Sequence, residues 1–500
     1  MANVKIDFKD KDLFGNDAAD QEKDEVFKSY AFERPELENF LNYAENIQIA
    51  RAYKGEGKSA TLRMVKEKLQ DNNKQIVINS TGVALSPEIE SDDSDTWTRA
   101  WKKKILGLIA NEIGSKIGFA YSDDSTALVE QAEMNGFKSK SFISHIVDRL
   151  KISGIPERKR EGIIDVESLL TRWTNGGGIW LIVDDVDQNF QNTQRNKLKV
   201  ATYFTAIRQI VSALPELRIR TSVRPNVWKI IKREYEALSH IEQYMVDIHW
   251  NHVDIAMLLA KRIQGYLERT HQWELFQKQL SSDIHIRNKQ LIGLVFEEEM
   301  KWGQNNRTRP TSIVLATLSR HRPRWLIELC KEAIKSISSN QDKITFDKIN
   351  DELEDFGKRR IEDTIAEFTS QCQSIEEVIE AFSQQNERYN TDELLKLIDN
   401  RILSHINLKI SGTLGKPNNR EVAYFLYQIA FITARRDNLD GSYEHISFED
   451  NPALLKSRTS VDNGVSWEIH PVFRQALQLK NVDTKQAQAA KRRRNDSRRY

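Results

Sequence analysis

Ala52-Tyr53-Lys54-Gly55-Glu56-Gly57-Lys58-Ser59, continuing through Ala60 to Val65, is the stretch from which the rest of the chain is read. It fits the phosphate-binding loop pattern G-x-x-x-x-G-K-[ST] at every position but the first, where Ala52 stands in place of glycine. Gly55 and Gly57 can adopt positive φ, so successive backbone N–H groups, through Glu56 and on to Ala60, can point into one concavity and hold phosphate oxygens. Lys58 is placed to reach the β- and γ-phosphates of a nucleotide such as ATP, and the Ser59 hydroxyl to complete a Mg²⁺ shell. The helix that follows aims its positive end at the same anion. Context agrees, because Ile47 to Ala50 reads as a short strand and Ala60 to Leu69 as a helix. The competing reading is a surface turn that happens to spell G-x-G-K-S, and it does not account for the flanking strand and helix.

A second stretch strengthens the first. In Gly176-Gly177-Gly178-Ile179-Trp180-Leu181-Ile182-Val183-Asp184-Asp185-Val186-Asp187, five apolar residues run together, as in a strand buried on both faces of a parallel sheet. Carboxylates at its C-terminal end lie where such sheets bind ligands. This is the Walker B arrangement: Asp184 can hold the Mg²⁺ shell, and Asp185 can orient or deprotonate an attacking water. A third strand, Leu217 to Val223, ends in Thr221, Ser222 and Arg224, where a hydroxyl or a guanidinium can sense a γ-phosphate and neutralise developing charge. A basic, solvent-facing turn is the alternative for Arg224. Gln75 to Asn79 is a further strand, and Met245 to Trp250 closes the sheet. Strands alternating with helices over 47–250 predict a mostly parallel α/β core.

Composition sets the outer limits. A chain of 500 residues exceeds one core and suggests two to four domains. With 74 basic and 73 acidic residues, the formal charge of +1 implies no steering of the whole molecule toward nucleic acid or membrane. Cys330 and Cys372 make neither a disulfide framework nor a metal site, so a reducing cytoplasm is the expected location. Met1 to Asp20 is too polar for a signal peptide, and the most apolar run, Val422 to Ala434, is too short to span a bilayer. There is no internal repeat.

Residues 1–25 read as a charged, loosely ordered lead-in, and Glu33 to Ala44 as a helix with Pro35 at its start. Trp97 to Ile117 and Phe142 to Leu150 have helical spacing, while Asp123 to Ser125 and Lys151 to Arg160 read as connectors. Past residue 250 the pattern is helical: Asp254 to Arg269, Asp283 to Met300, a helix opening at Pro323, and Phe346 to Phe368. Ile375 to Phe382, Thr391 to Ile406 and the apolar Glu421 to Thr433 follow as helices. Two extended pieces, Ser442 to Phe448 and Val465 to His470, then suggest the hairpin of a winged-helix domain. The tail, Lys491 to Tyr500, carries six basic residues in ten and reads as a disordered arm, for which nucleic acid, an acidic partner or solubility each give a reason.

The loop, the two strands that follow it and the Ile248–Ile263 junction together resemble the ASCE P-loop ATPases, which are AAA-related. Within them the chain resembles the STAND and KAP-type branch found in bacterial signalling and phage defence. The resemblance spans roughly residues 40–475, of which only the phosphate loop and the Walker B strand are specific. Many relatives carry Asp-Glu where this chain has Asp184-Asp185, which leaves the base role of Asp185 in question. Nothing matches the LSGGQ signature of ABC ATPases. The resemblance implies a lid helix with a sensor arginine at Arg324 or Arg322, and a winged-helix histidine at His470 that holds ADP at rest. Surface or helix-end ion pairs and simple packing are the alternatives for these residues.

The expected organisation is a lead-in (1–40), a P-loop ATPase core (41–250), a helical lid (251–360), a helical and winged-helix domain (361–480) and a basic tail (481–500). The expected function is an ATP-binding, Mg²⁺-dependent ATPase, slow in turnover, that acts as a nucleotide switch on a protein partner or on its own assembly. A DNA-associated ATPase, a loader or translocating motor using the winged helix and tail, is the alternative. A pseudo-ATPase that holds nucleotide without turnover is the third reading.

Overall fold

The computed structural model describes residues 4–31, 33–71, 75–116, 178–302, 308–337, 341–438, 443–456 and 465–481. The predicted helix at Phe142–Leu150, the connectors at 123–125 and 151–160 and the basic tail lie outside them. The chain forms two compact units, one from Ala18 to Trp250 and the other from Met1–Asp17 together with Asn251–Tyr500.

In the first unit, strands β1 (Ile47–Arg51), β2 (Ile76–Thr81), β3 (Ile179–Asp184), β4 (Leu217–Val223) and β5 (Met245–Asp247) form one sheet in the order β2-β3-β4-β1-β5. Every neighbouring pair is parallel. Strand β4 therefore lies between the strand that leads into the phosphate loop and the strand that ends in the acidic pair, the ASCE-type arrangement. Successive side chains of a strand point to opposite faces. Ile179, Leu181 and Val183 enter one core with Trp101, Tyr203 and Phe204, while Trp180 and Ile182 enter the other with Leu62, Val65 and Leu69. That double burial is why β3 is apolar at every position.

Strand β4 is central although its sequence alternates with arginine. Arg220 is fully buried, and its guanidinium donates to the carbonyls of Phe40 (2.6 Å), Ile219 (3.1 Å), Asn42 (2.8 Å) and Glu45 (2.9 Å) beside the Trp180 ring. Arg218 lies over Tyr43 and donates to its carbonyl at 2.8 Å. Buried arginine is tolerable only where its donors are met. Here they fasten the end of the helix Pro35–Leu41 to the sheet.

The second unit begins with the helix His252–Arg269, capped by Asn251 and Asp254 in a reciprocal capping box. Helices Ile284–Ile292, Thr311–Leu318, Pro323–Lys335 and Phe346–Phe368 follow, with a short antiparallel pair, β6 (Glu299–Lys301) and β7 (Thr308–Pro310). The last module is winged-helix-like: helices Ile375–Glu380, Thr391–Ile398 and Asn419–Gln428 with strands β8 (Arg388–Tyr389), β9 (Ile432–Asp437), β10 (Tyr443–Ile446) and β11 (Val465–Ile469). These strands form one antiparallel sheet in the order β10-β9-β11-β8.

Several predicted elements change. The helix expected over Asp283–Met300 stops at Ile292, and Gly293 hands over to a turn and to β6. The helix expected over Glu421–Thr433 stops at Gln428, where Ala430 takes a left-handed φ of 52° and the chain turns into β9. Thr391–Ile406 is α-helical only to Ile398, with a π turn at Asp399–Leu403. The lead-in is not loose: Leu13 and Phe14 are buried, the Phe14 ring lies tilted against that of Phe296 with centroids 6.0 Å apart, and Arg262 donates to the carbonyls of Phe14 and Asn16.

Candidate phosphate-binding site

The site is assembled at the C-terminal ends of β1, β3 and β4. After β1 the chain turns through Gly55 (φ 83°) and Gly57 (φ 93°), conformations that a side chain at either position would strain. Glu56 ties the turn, accepting from the Tyr53 N–H at 2.6 Å, and its own carbonyl accepts from the Trp250 indole at 2.7 Å. The Thr61 hydroxyl donates to the Gly57 carbonyl at 3.0 Å. The helix Lys58–Gln70 then starts with no side chain capping its first turn, so its N-terminal N–H groups are available to an anion. Lys58 is buried, and its ammonium donates to the carbonyls of Ala52 (3.0 Å) and Tyr53 (3.3 Å), which holds it across the mouth of the loop. Ser59 and Ala60 are half-buried in the first helical turn.

At the end of β3, Asp184 Oδ1 accepts from the Ser222 hydroxyl at 2.5 Å and from the Asp185 N–H at 2.9 Å. Ser222 thus links β4 to β3, and its oxygen also accepts from the Asp185 N–H at 3.1 Å. Asp185 has a left-handed φ of 53°. Burial, followed by the neighbouring charge of Asp184, pushes its carboxyl up to about 6, against the pull of Lys58 and Arg224. Asp184, Asp187, Lys58 and Arg224 therefore all act on this one carboxyl.

Arg224 is placed where β4 ends and is held by Asp187. The Asp187 carboxylate accepts from the Arg224 N–H at 2.9 Å and from Nε at 2.8 Å, and the Asp187 carbonyl accepts from Nη2. Nothing local in the chain signals this pairing, since 37 residues separate the two and only the β3–β4 neighbourhood brings them together. Gly82 is a second residue whose importance only the fold reveals. A Cβ there would lie 2.3 Å from Val186 Cα and 2.7 Å from the Asp185 carbonyl. Gly82→Ala is expected to push the acidic turn out of place and destabilise the first unit by about 1–3 kcal/mol. A thermal melt identical to that of the wild type would show that the turn yields freely.

Arg324 and His470 belong to the second unit. Arg324, in the first turn of its helix, pairs with Glu328 at 3.0 Å and Asp17 at 3.5 Å and is 39 % exposed. Arg322 pairs at 2.8 Å with Glu367, both buried. His470 caps the helix Pro471–Arg474, its Nδ1 accepting from the Val472 N–H at 3.4 Å. Burial, with Arg320, His445 and Arg474 nearby, holds its imidazole well below the usual value.

A hydroxyl at Ser59 and a carboxylate at Asp184 are hard oxygen donors of the kind Mg²⁺ takes. Asp184 is oriented by two donors to Oδ1, so its second oxygen, Oδ2, fits a ligand role.

No family model matches the sequence, and no curated protein matches it. Among solved structures the chain is similar to the Aeropyrum pernix ORC2 protein in its ADPNP–ADP complexes, with 11% identity, a TM-score of 0.38, and coverage of 96% of this chain and 99% of that one. It is also similar to Cdc6p from Pyrobaculum aerophilum, with 11% identity, a TM-score of 0.32, and coverage of 94% and 98%. The ADP form of the A. pernix protein gives 11% identity, a TM-score of 0.32, and coverage of 94% and 96%. Such distant likenesses decide neither fold nor function. The chain's own sheet order, phosphate loop and acidic strand define an α/β P-loop NTPase core of ASCE type, joined to a helical region and a winged-helix-like module. Among the described residues no helix is long and apolar enough to cross a membrane.

Proposed function

We propose that the chain binds ATP with Mg²⁺ at the Ala52–Ala60 loop and hydrolyses it slowly, as a nucleotide-dependent switch. The observation that supports this best is the loop itself: two left-handed glycines, a buried lysine and an uncapped helix N-terminus on the same sheet end as Asp184, Asp185 and Ser222. In this reading backbone N–H groups from Gly55 to Ala60 cradle the phosphates, and Lys58 neutralises the β- and γ-phosphates. Ser59 and Asp184 hold the ion, which when bound screens phosphate charge and fixes the γ-phosphate. Asp185 orients the attacking water and Arg224 meets the γ-phosphate. Arg324 and His470 keep, as proposals, the sensor and ADP-retention roles that the resemblance implies. The same resemblance is what supports a protein partner or self-assembly and a role in bacterial defence signalling, while the cysteine usage, Cys330 and Cys372 alone, supports a cytoplasmic location.

Asp185→Asn is expected to leave ATP affinity within about threefold while slowing hydrolysis about 100-fold, the usual scale for a lost general base. Equal turnover would move the base role away from Asp185. The second reading, a DNA-associated ATPase, draws on the winged-helix-like sheet β10-β9-β11-β8. Measuring ATPase rate without DNA and with single- or double-stranded DNA separates the two. Strong stimulation by DNA would replace the switch reading, and absence of any ATP binding would sink both.

A further inference from the structure

Asp187 is among the most buried charged groups of the first unit, with a side chain of 0 % exposure. One of its oxygens, Oδ2, receives both the Arg224 backbone N–H and Nε, and the other, Oδ1, has no hydrogen-bond partner. A carboxylate that deep is costly unless a cation meets it, and Arg224 meets it at 2.8 Å. The pairing also fixes the arginine. Nε and Nη2 are both taken by Asp187, through its carboxylate and its carbonyl, so the plane of the guanidinium is set by the β3 turn rather than by solvent. The arginine side chain keeps 20 % exposure, and Nη1 is the donor that these bonds leave over. Arg224 follows β4 and Asp187 follows β3, two neighbouring parallel strands, so the anchored guanidinium stands at the same sheet end as the acidic pair.

Resting on the nucleotide reading above, we propose that Asp187 is a positioning residue that sets Arg224 to recognise the γ-phosphate, and so gives the site its preference for a nucleoside triphosphate over the diphosphate. A long arginine left unanchored would have to lose rotamer freedom on binding, and a bidentate anchor removes most of that cost in advance. The triphosphate alone offers the extra anion for the remaining donor. Asp187 touches no ligand in this scheme; it acts through Arg224.

The test uses the full chain with fluorescent ATP and ADP analogues and Mg²⁺, in wild type, Asp187→Ala, Asp187→Asn, Arg224→Ala and the Asp187→Ala/Arg224→Ala double variant. Asp187→Ala is expected to weaken ATP about tenfold relative to ADP, the scale of one charge-assisted hydrogen bond. Asp187→Asn, which keeps an oxygen acceptor for the arginine, is expected to lose less. In the Arg224→Ala background, Asp187→Ala should shift the ATP-to-ADP ratio less than about twofold, because the effect runs through the missing arginine. Should Asp187→Ala fail to fold, Asp187→Asn carries the same comparison. Equal weakening of both nucleotides, or additive effects in the double variant, would make Asp187 a structural cap and overturn the proposal. Lys58-dependent ATP binding with an unchanged ratio in Asp187→Ala overturns this inference alone; a wild type that binds no ATP removes the nucleotide reading together with it.

Discussion

Lys58→Ala is expected to abolish ATP binding at ordinary concentrations, raising the dissociation constant at least about 100-fold, or about 2.7 kcal/mol. In the structure the ammonium is buried and engaged by two loop carbonyls, Ala52 and Tyr53, which place it beside the left-handed glycines. Removing it takes away the only side-chain cation of the first turn of the helix Lys58–Gln70, where the other donors are neutral N–H and hydroxyl groups. Charge-assisted hydrogen bonds to phosphate are worth roughly 1.5–3 kcal/mol each, so one or two of them account for the loss. Folding should survive, because the helix Lys58–Gln70 is held by Leu62, Val65 and Leu69 rather than by the lysine. Titration of a fluorescent ATP analogue is the measurement. Unchanged affinity in a folded Lys58→Ala protein would remove the site from the loop altogether.

Glu468→Ala is expected to cost the winged-helix-like module about 3–5 kcal/mol, the range for stripping one partner from a buried ionic cluster. Glu468 sits on β11 with 6 % of its side chain exposed and gathers three partners: Arg435 at 2.8 Å, His445 at 3.0 Å and Arg474 at 3.0 Å. They come from β9, β10 and the segment after β11, so one carboxylate clamps most of the sheet's neighbourhood. Burial opposes its charge, but the hydrogen bond from His445 and the Arg474 and Arg435 cations outweigh it and hold the carboxyl far below the usual value. A depressed folded-state pKa means that the stabilisation is complete above the unfolded value of about 4.3 and drains away as pH falls below it. Alanine would leave the cations facing one another. Hydrogen exchange reads this locally: β9 and β11 should lose protection while β1–β5 keep theirs. Unaltered protection in β9 would mean that the cluster is already solvated and contributes little.

The sheet of the first unit was readable because burial on both faces leaves a mark in composition: Ile179–Val183 admits no polar residue. The phosphate loop and Asp184 were readable because their chemistry is local, packed into eight residues and two. Where the reading failed, the physics was not local. An apolar run has the same look in a buried helix and a buried strand, so Glu421–Thr433 concealed the change of direction that Ala430 makes with a left-handed backbone. Leu13 and Phe14 are two apolar residues in a polar stretch, and only the carbonyl-binding Arg262, some 248 residues on, shows why they are ordered. Arg220 is the same lesson in reverse. Its strand has the alternation of a solvent-facing edge, yet four backbone carbonyls receive the guanidinium in the interior. The partner of Arg224 could not be found before β3 and β4 were known to be neighbours.

The left-handed backbone at Asp185 has a bearing on evolution as well as on geometry. At φ 53° the residue occupies a region that Asp, Asn and Gly enter readily and longer side chains enter at a cost of about 1–2 kcal/mol. Glutamate, the usual second acid of related motifs, would carry that cost here without the short side chain that can bond locally to offset it. The alphabet open to position 185 is thus narrowed by the turn before any requirement of catalysis is applied. A library randomised at this codon and selected only for folded protein should return Asp, Asn and Gly well ahead of Glu, and a functional selection would then choose among those few.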